Sequence, residues 1–296
     1  MDLERYFGRI NLKNSSRQPS LELLKDICMG SVSNIPFETL DMFGGKRKIW
    51  DLPTIYQNIV EKKRGGFCYE LNGLLQWALK LLGYKVELLK AYPYISKDNQ
   101  FQSVSDHLAL LVSWNSEEKY LTDVGWGGSS FVLPLIFKMG VEQSQPNGIY
   151  RLGENQDMYI VEKKKQTYLK TEDQPRFNSK TEEHLAKIDE TGYKDIPWNI
   201  VFGVGKVPCT FEDCKVGHDF AQDENEFLKA TPIVVLQSVE KRKFFVKNLY
   251  YEKKYIDPDI LKLERFQKCS VEEMYDILRK EFGINLDFEL NIPCVE

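Results

Sequence analysis

The sequence lacks the apolar runs that mark membrane and secreted proteins. No stretch of its 296 residues reaches the length of a membrane span. The first ten residues, MDLERYFGRI, hold no basic segment followed by an apolar one, so we expect no secretory signal peptide. The six cysteines are few and scattered, which is typical of reduced thiols rather than of a disulfide framework. We therefore expect a cytoplasmic protein that binds no membrane.

Concentrated positive charge and phosphate-binding motifs are also missing. The formal net charge is −4, whereas a nucleic-acid-binding protein usually presents a concentrated basic face. Acidic residues flank the basic clusters that do occur, such as the one at 62–64. Gly125, Gly127 and Gly128 follow a strand-like run, but they do not form the pattern of a nucleotide-binding loop. The sequence therefore predicts no nucleic-acid partner and no dinucleotide cofactor.

The spacing of apolar residues indicates helices in the first part of the chain. We predict one helix that begins after Ser20, and a second over 51–64 that Gly65 ends. A third helix is predicted over 68–82, where apolar residues recur on one face until Gly83. The N-terminal region is therefore expected to be a helical bundle.

Beyond residue 85 the pattern changes to that of antiparallel strands. Short apolar-rich runs, KVELLKAYPY, SDHLALLVSW and KYLTDVGW, are separated by polar breaks. Further strands are predicted at Met158–Val161, Ile233–Gln237 and Phe244–Tyr251, and a final helix at Ser270–Phe282. The polar stretch 170–197 predicts a long connecting insert. Helices first, then strands, then a mixed end indicate the α+β class.

Cys68 is the best candidate for a nucleophile. It lies in RGGFCYELNGLL, where two glycines allow a sharp turn and the cysteine falls in the first turn of the third helix. The positive end of the helix dipole should lower the pKa of this thiol, and nearby main-chain N–H groups could hold an oxyanion. Cys28 and Cys269 lack this setting, because one lies on an apolar helix face and the other precedes a helix. The alternative for Cys68 is a small buried residue.

His107 and Asp123 are candidates for a base and the group that orients it. The chain has only three histidines, and His107 alternates with Ala109 and Leu111 on one face of a predicted strand. Asp123 lies in the next strand-like run, where burial of its carboxylate is costly without a partner. If the two strands form a hairpin, a cross-strand contact completes a Cys–His–Asp arrangement. A core histidine is the alternative.

These motifs, taken in order, resemble the arylamine N-acetyltransferase family. IPFETL at 35–40, RGGFC at 64–68, ELNGLLQWAL after it, DHLALLV at 106–112 and TDVGWG at 122–127 each resemble a block of that family. The resemblance is strong from residue 1 to about residue 130 and thinner beyond. The polar insert near 170–197 resembles the vertebrate type of the family rather than the bacterial one.

The resemblance implies a three-domain fold with a cysteine-protease-like core. Residues 1–85 would form a helical domain that bears the nucleophile, 86–197 an antiparallel β-barrel with the polar insert, and 198–296 an α/β lid. It also implies ping-pong transfer of acetyl from acetyl-CoA to the cysteine and then to an arylamine or hydrazine, with O-acetylation of N-hydroxyarylamines as a further reaction to consider. No metal is implied, and the expected state is a monomer.

The resemblance further assigns roles to individual residues. Cys68 would be acetylated, His107 would be the general base and Asp123 its orienter, while Arg64 and Glu38 would brace the loop before the cysteine. Contacts to coenzyme A are expected from Ser103 and Val104. Contacts to the acceptor are expected from Asp106, His107, Phe37, Phe67 and Trp126. The loop at 128–130 carries small side chains where vertebrate members carry bulkier ones, which predicts a roomier acceptor site.

Other readings of the sequence are open at this point. A cysteine amidase or a transglutaminase-like enzyme would use the same triad, so the residue types do not separate it from a transferase. Cys209, Cys214 and His218 superficially resemble a zinc site, although their spacing is irregular. A catalytically inactive scaffold is a third alternative. The third region also departs from the family, because DFAQDENEF stands where the family has a small polar run, and its acidity does not favour a phosphorylated ligand.

Overall fold

The computed structural model describes residues 1–13, 17–169 and 197–290. The polar insert predicted at 170–197 lies outside the described residues except for Pro197. No helix within the described ranges is both long and apolar enough to cross a membrane.

Short helices build the N-terminal region around one long central helix. They are α1 Leu3–Arg9, α2 Leu21–Asn34, α3 Leu40–Phe43, α4 Leu52–Tyr56 and α5 Cys68–Leu81. The helix predicted after Ser20 is confirmed, because the Ser20 hydroxyl accepts from the Leu23 N–H at 3.1 Å and caps α2. The predicted third helix is also confirmed as α5, and Gly83 follows it with φ +89°.

The helix predicted over 51–64 is shorter than expected. Asp51 caps α4 by accepting from the Thr54 N–H at 3.0 Å, and a π-helical turn, Gln57–Glu61, extends it. The expected end at Gly65 is wrong. The chain already reverses at Lys63, whose φ is 55°, and this frees Arg64 to turn towards buried carboxylates.

One antiparallel sheet forms a nearly closed barrel. Its strands are β2 Lys85–Ile95, β3 Gln100–Phe101, β4 His107–Ser113, β5 Tyr120–Thr122, β6 Leu135–Ile136, β7 Gln143–Gln145, β8 Gly148–Glu154, β9 Met158–Lys164 and β11 Trp198–Cys209. The main order is β6-β5-β4-β2-β11-β9-β8-β7. The Gln143 amide joins the two ends of this order, because it accepts from the Ile136 N–H at 2.7 Å and donates to its carbonyl at 3.1 Å.

A second sheet, with helices beside it, contains the C-terminal strands. It consists of β1 Phe37–Glu38, β10 Thr167–Tyr168, β12 Ile233–Gln237, β13 Lys241–Val246, β14 Leu249–Asp257 and β15 Ile260–Lys268. The helices of this region are α6 Lys215–Asp223, α7 Glu226–Ala230 and α8 Val271–Phe282. The predicted strand at Phe244–Tyr251 is wrong as one element: Lys247, with φ 54°, turns the chain so that Val246 of β13 pairs with Leu249 of β14.

The predicted α+β class with an antiparallel barrel is confirmed. The division into domains at 85 and 197 stays a prediction. Two strand pairings join the predicted domains. β11, from the third domain, pairs with β2 and β9 in the barrel sheet, and β1, from the first domain, pairs with β12 of the third. β1 includes Phe37 and β12 includes Ile233, and both residues line the cavity described below. The pairing of β1 with β12 therefore places the N-terminal region at the edge of that cavity.

Candidate active site

Cys68 is the first residue of α5, at the end of a tightly packed glycine loop. The Glu70 carboxylate accepts from the Phe67 N–H at 3.3 Å and fixes the start of the helix. A Cβ atom on Gly65 would lie 2.2 Å from the carbonyl oxygen of Pro36, so only glycine fits there. The local sequence therefore places the thiol at the helix N-terminus, as predicted.

A buried ion network holds this loop from behind. Arg64 makes a two-pronged contact with Glu38, with both N–H···O distances 2.9 Å, and also donates to Asp41 at 2.9 Å. Lys48 bridges Asp41 at 2.9 Å and Glu70 at 3.4 Å. Burial opposes ionisation of Asp41, but Lys48 and Arg64 outweigh it and lower its pKa. The bracing role expected of Arg64 and Glu38 is thus seen in these contacts.

His107 and Asp123 meet across the predicted hairpin. β4 begins at His107, β4 pairs with β5, and Asp123 directly follows β5. The His107 Nε2 atom lies 2.7 Å from Asp123 Oδ2, and both side chains are buried. Because Nε2 faces the carboxylate, its proton is assigned there, and Nδ1 is the nitrogen left to accept a proton. The ring is enclosed by Trp126 at 4.8 Å and Phe202 at 5.1 Å between centroids.

Asn72 holds the second oxygen of Asp123, a role that the sequence analysis missed. Its Nδ2 donates to Asp123 Oδ1 at 2.9 Å and to the Leu108 carbonyl at 2.6 Å. Its Oδ1 accepts from the Val124 N–H at 3.0 Å. A polar residue one helical turn after Cys68, on the face turned towards the barrel, was the available signal. The amide ties α5 to β4 and to the loop after β5.

The Cys68 thiol is buried beside the loop that precedes His107. It donates to the main-chain carbonyl of Asp106 at 3.2 Å. Burial raises its pKa, and the charges of Asp106 and Asp123 raise it further, against the weaker effect of the N–H groups of Tyr69 and Cys68. The expectation of a lowered thiol pKa is therefore wrong, because desolvation outweighs the helix terminus.

A cavity of about 480 Å³ opens onto the thiol and the imidazole. Its wall combines a few polar residues with mostly apolar ones, which is typical of a small-molecule site. The residues that line it are Phe37, Cys68, Pro93, Ile95, Gln102, Asp106, His107, Gly125, Trp126, Gly127, Gly128, Asn225, Phe227, Leu228, Ile233 and Phe244.

The aromatic residues expected at the acceptor differ in their positions. Phe37 and Trp126 line the cavity, and a Cβ on Gly127 would lie 2.4 Å from the Phe37 ring, so this glycine lets the loop approach. Phe67 is fully buried behind the nucleophile, with its ring 5.1 Å from that of His218, and is not part of the cavity wall. Phe37 and Trp126 thus meet the geometric requirement for acceptor contact, and Phe67 does not.

The loop before His107 contributes a polar cluster to the wall. Asp106 accepts from the Asn225 Nδ2 at 2.7 Å. With its amide oriented to satisfy its neighbours, Gln102 donates to both carboxylate oxygens of Asp106, at 2.8 and 2.9 Å. Ser103 is exposed and Val104 half-buried, and neither is part of the wall.

The residues proposed as a zinc site are arranged differently from a ligand set. Cys209 and Cys214 are hydrogen-bonded thiols with their sulfur atoms 3.6 Å apart. The His218 ring packs against Trp50, at 5.3 Å, and behind the nucleophile loop. In the part of the chain that the structure describes, no three His, Cys, Asp or Glu side chains cluster as a metal site.

Comparison with known proteins gives one consistent result. A family model described as N-acetyltransferase matches residues 20–291. Arylamine N-acetyltransferase 1 of Mus musculus is 30% identical over 97% of this chain and 95% of its own length. The arylamine N-acetyltransferase pineal gland isozyme NAT-3 of Gallus gallus is 31% identical, with the same coverage of 97% and 95%.

Solved structures resemble the fold over nearly the whole chain. The arylamine N-acetyltransferase of Salmonella typhimurium has a TM-score of 0.78 at 20% identity, covering 95% of this chain and 90% of its own. The Mycobacterium marinum arylamine N-acetyltransferase in complex with CoA has a TM-score of 0.77 at 22% identity, covering 96% and 93%. At these identities the likeness concerns the fold.

Proposed function

The chain belongs to the arylamine N-acetyltransferase family and is an acyltransferase, and we propose that it carries acetyl from acetyl-CoA to aromatic amines and hydrazines through a thioester on Cys68. One observation carries the proposal: the Cys68 thiol and the Asp123-bound imidazole of His107 line the same cavity. O-acetylation of N-hydroxyarylamines would use the same acetyl-enzyme. A resident metal has no part in the proposal.

In the first half-reaction Cys68 takes the acetyl group. His107 Nδ1 accepts the thiol proton as Sγ attacks the acetyl carbonyl, and Asp123 stabilises the imidazolium that forms. The carbon–sulfur bond to coenzyme A breaks, and its departing thiolate receives the proton from His107. The raised pKa of the thiol favours transfer of its proton to His107 as Sγ attacks.

In the second half-reaction the acceptor amine occupies the emptied site. Its nitrogen attacks the thioester carbonyl while His107 accepts an amine proton. The bond to Sγ breaks, the proton returns to Cys68, and the N-acetylated product leaves. A single cavity that serves both substrates in turn agrees with a ping-pong order.

We assign residues to the donor or to the acceptor from their positions in the structure. Ser103 and Val104 lie in the loop before His107 and are accessible, so we assign them to the donor. Phe37 and Trp126 are assigned to the ring of the acceptor. Of the loop 128–130 only Gly128 lines the cavity, and its lack of a side chain leaves room there, so a bulky arylamine should be turned over at least as well as a compact one.

The proposal also covers the oligomeric state of the protein and its location in the cell. We infer a monomer in the cytoplasm, supported by the described cysteines, which are all free thiols: Cys28, Cys68, Cys209, Cys214 and Cys269. Size determination in reducing buffer, at the concentrations used for assays, tests the monomer; a dimer under those conditions would contradict it.

Intact-protein mass spectrometry tests the reaction directly. Wild type and Cys68→Ala are mixed with acetyl-CoA, and an arylamine is then added. We expect one acetyl adduct, absent in Cys68→Ala and discharged by the amine, with the N-acetyl product recovered. Cys28→Ala is a matched control, because that thiol is also buried in a helix but lies outside the cavity.

Two outcomes would overturn the proposal. If no acyl-CoA produces an adduct, Cys68 does not accept acetyl from such donors. If an adduct forms but water alone discharges it, and arylamines and hydrazines have no effect, the enzyme is a hydrolase such as the cysteine amidase considered above. Family membership favours transfer over hydrolysis.

A further inference from the structure

The wall of the cavity holds one carboxylate that the reaction does not need. Asp106 is only 5% exposed and precedes the catalytic histidine, but its side chain turns to Gln102 and Asn225 instead of to the imidazole. All three residues of this cluster line the cavity. A buried carboxylate is costly unless it is compensated, so its presence in an otherwise apolar wall calls for a function.

The hydrogen-bond partners of Asp106 affect the protonation state of its carboxyl group. Both are amide N–H donors, and each carboxylate oxygen accepts at least one of them. Burial raises the Asp106 pKa above its ordinary value, while the amide donors act in the opposite direction and favour the ionised form. A carboxylate offers about four acceptor positions, so the three contacts from Gln102 and Asn225 leave room for a donor on a ligand.

Among the residues that the structure describes, the wall holds no cation to offset this charge. None of the described residues that line the cavity is lysine or arginine. The buried Arg242 guanidinium contacts two residues of the wall from behind: it donates to the Gly127 carbonyl at 3.1 Å, and the centre of the Phe244 ring lies 4.8 Å from its carbon. The acceptor cavity thus presents a negative charge, with the second carboxylate, Asp123, behind His107.

We propose that Asp106, held by Gln102 and Asn225, makes the cavity selective for aromatic amines that carry a second, cationic or hydrogen-bond-donating group, and against arylamines that carry a carboxylate. The proposal rests on the arylamine transferase function given above. A cationic substituent forms a charge-assisted hydrogen bond with the free acceptor position, whereas a carboxylate would be desolvated beside a like charge.

The test uses three acceptors of matched shape: 4-aminobenzoate, 4-aminobenzamide and 4-aminobenzamidine. Their planar para substituents are anionic, neutral and cationic at pH 7.5. We compare kcat/KM for wild type and Asp106→Asn, which preserves shape and removes the charge. The intrinsic reactivity of each amine is the same with both proteins. The informative quantity is therefore the change, from wild type to Asp106→Asn, in the ratio of kcat/KM for the cationic acceptor to kcat/KM for the anionic one.

We expect the ratio for 4-aminobenzamidine over 4-aminobenzoate to fall by about tenfold or more in Asp106→Asn, which is the scale of one charge interaction at a partly screened site. The neutral amide should change least. A ratio that stays within about twofold would overturn the proposal. Failure of all three acceptors with wild type would instead count against the arylamine transferase function.

A measurement on wild type alone covers the case in which Asp106→Asn does not fold. Benzamidine and benzoate lack the reacting amine and are tested as competitors of 4-aminobenzamide. Benzamidine should inhibit at a concentration about tenfold lower than benzoate. Equal inhibition, or stronger inhibition by benzoate, would overturn the proposal without any mutation.

Discussion

Replacing Asn72 by leucine should damage both stability and acetyl transfer. The change keeps a side chain of similar size but removes the donor to Asp123 and Leu108 and the acceptor for Val124. The Val124 N–H then loses its side-chain acceptor, and the Leu108 carbonyl loses a donor. Of its described donors, Asp123 Oδ1 keeps only the Gly125 N–H at 2.8 Å. At about 1–3 kcal/mol for a buried group left unsatisfied, the free energy of unfolding should fall by about 2–3 kcal/mol. Chemical denaturation followed by tryptophan fluorescence measures this loss.

The effect on the reaction follows from the freedom that Asp123 gains. A hydrogen bond to a charged group contributes about 1.5–3 kcal/mol, so the single-turnover rate of Cys68 acetylation should fall by about 10–100-fold in folded Asn72→Leu. Quenched-flow mixing with acetyl-CoA, read by intact mass, gives this rate. Gln76→Leu is the matched control, because Gln76 is buried one turn further along α5 and makes no described hydrogen bond to the triad.

A double-mutant cycle separates a positioning role from a purely structural one. If Asn72 acts through Asp123, Asn72→Leu should lower the acetylation rate much less in an Asp123→Asn background than in wild type. The reasoning is refuted if Asn72→Leu lowers the acetylation rate by the same factor in both backgrounds, or if the rate of Asn72→Leu stays within about twofold of wild type.

Three further predictions concern the surroundings of the site. Arg64→Ala should cost about 3–5 kcal/mol of unfolding free energy in denaturant titration, because it removes the ion-pair partner of the buried Glu38 carboxylate and leaves it, among the described residues, only the Gly65 N–H. Gly125→Ala should abolish acetylation measured by intact mass, since the new Cβ would lie 2.8 Å from Cys68 Cα and its carbonyl oxygen. Burial lowers the pKa of His218 from 6.5 to about 4, so the unfolded chain binds more protons between these values. Wild type should therefore lose about 2–3 kcal/mol between pH 7 and pH 4, and His218→Phe should lose less.

Matched controls make these outcomes decisive. Arg17→Ala removes an exposed ion pair to Glu4 and should change stability by less than about 1 kcal/mol. Gly8→Ala meets open space, so it should retain activity and not lose stability. Loss of activity in Gly8→Ala, equal losses in the two arginine variants, or identical pH profiles for wild type and His218→Phe would contradict the respective prediction.

The residues proposed to carry out the reaction could be located from the sequence because their signals are local. The two glycines before Cys68 and the apolar face after it determine a tight turn and a helix N-terminus, whatever packs around them. Alternation in the runs that contain His107 and Asp123 predicts two paired strands, and pairing of neighbouring strands brings these side chains together. Helix caps at Ser20 and Ser270 are equally local.

Other features depend on parts of the chain that are far apart in sequence, and only the tertiary structure decided them. Asn225 reaches Asp106 across 119 positions, and Arg242 reaches Gly127 across 115. Sequence spacing carries no information about such contacts, since they follow from how the two sheets and α5 pack. The Cys68 thiol shows the consequence most clearly: its helix position predicts a lowered pKa, yet burial and two carboxylates from other elements raise it. Desolvation is a property of the assembled cavity, and no local pattern encodes it.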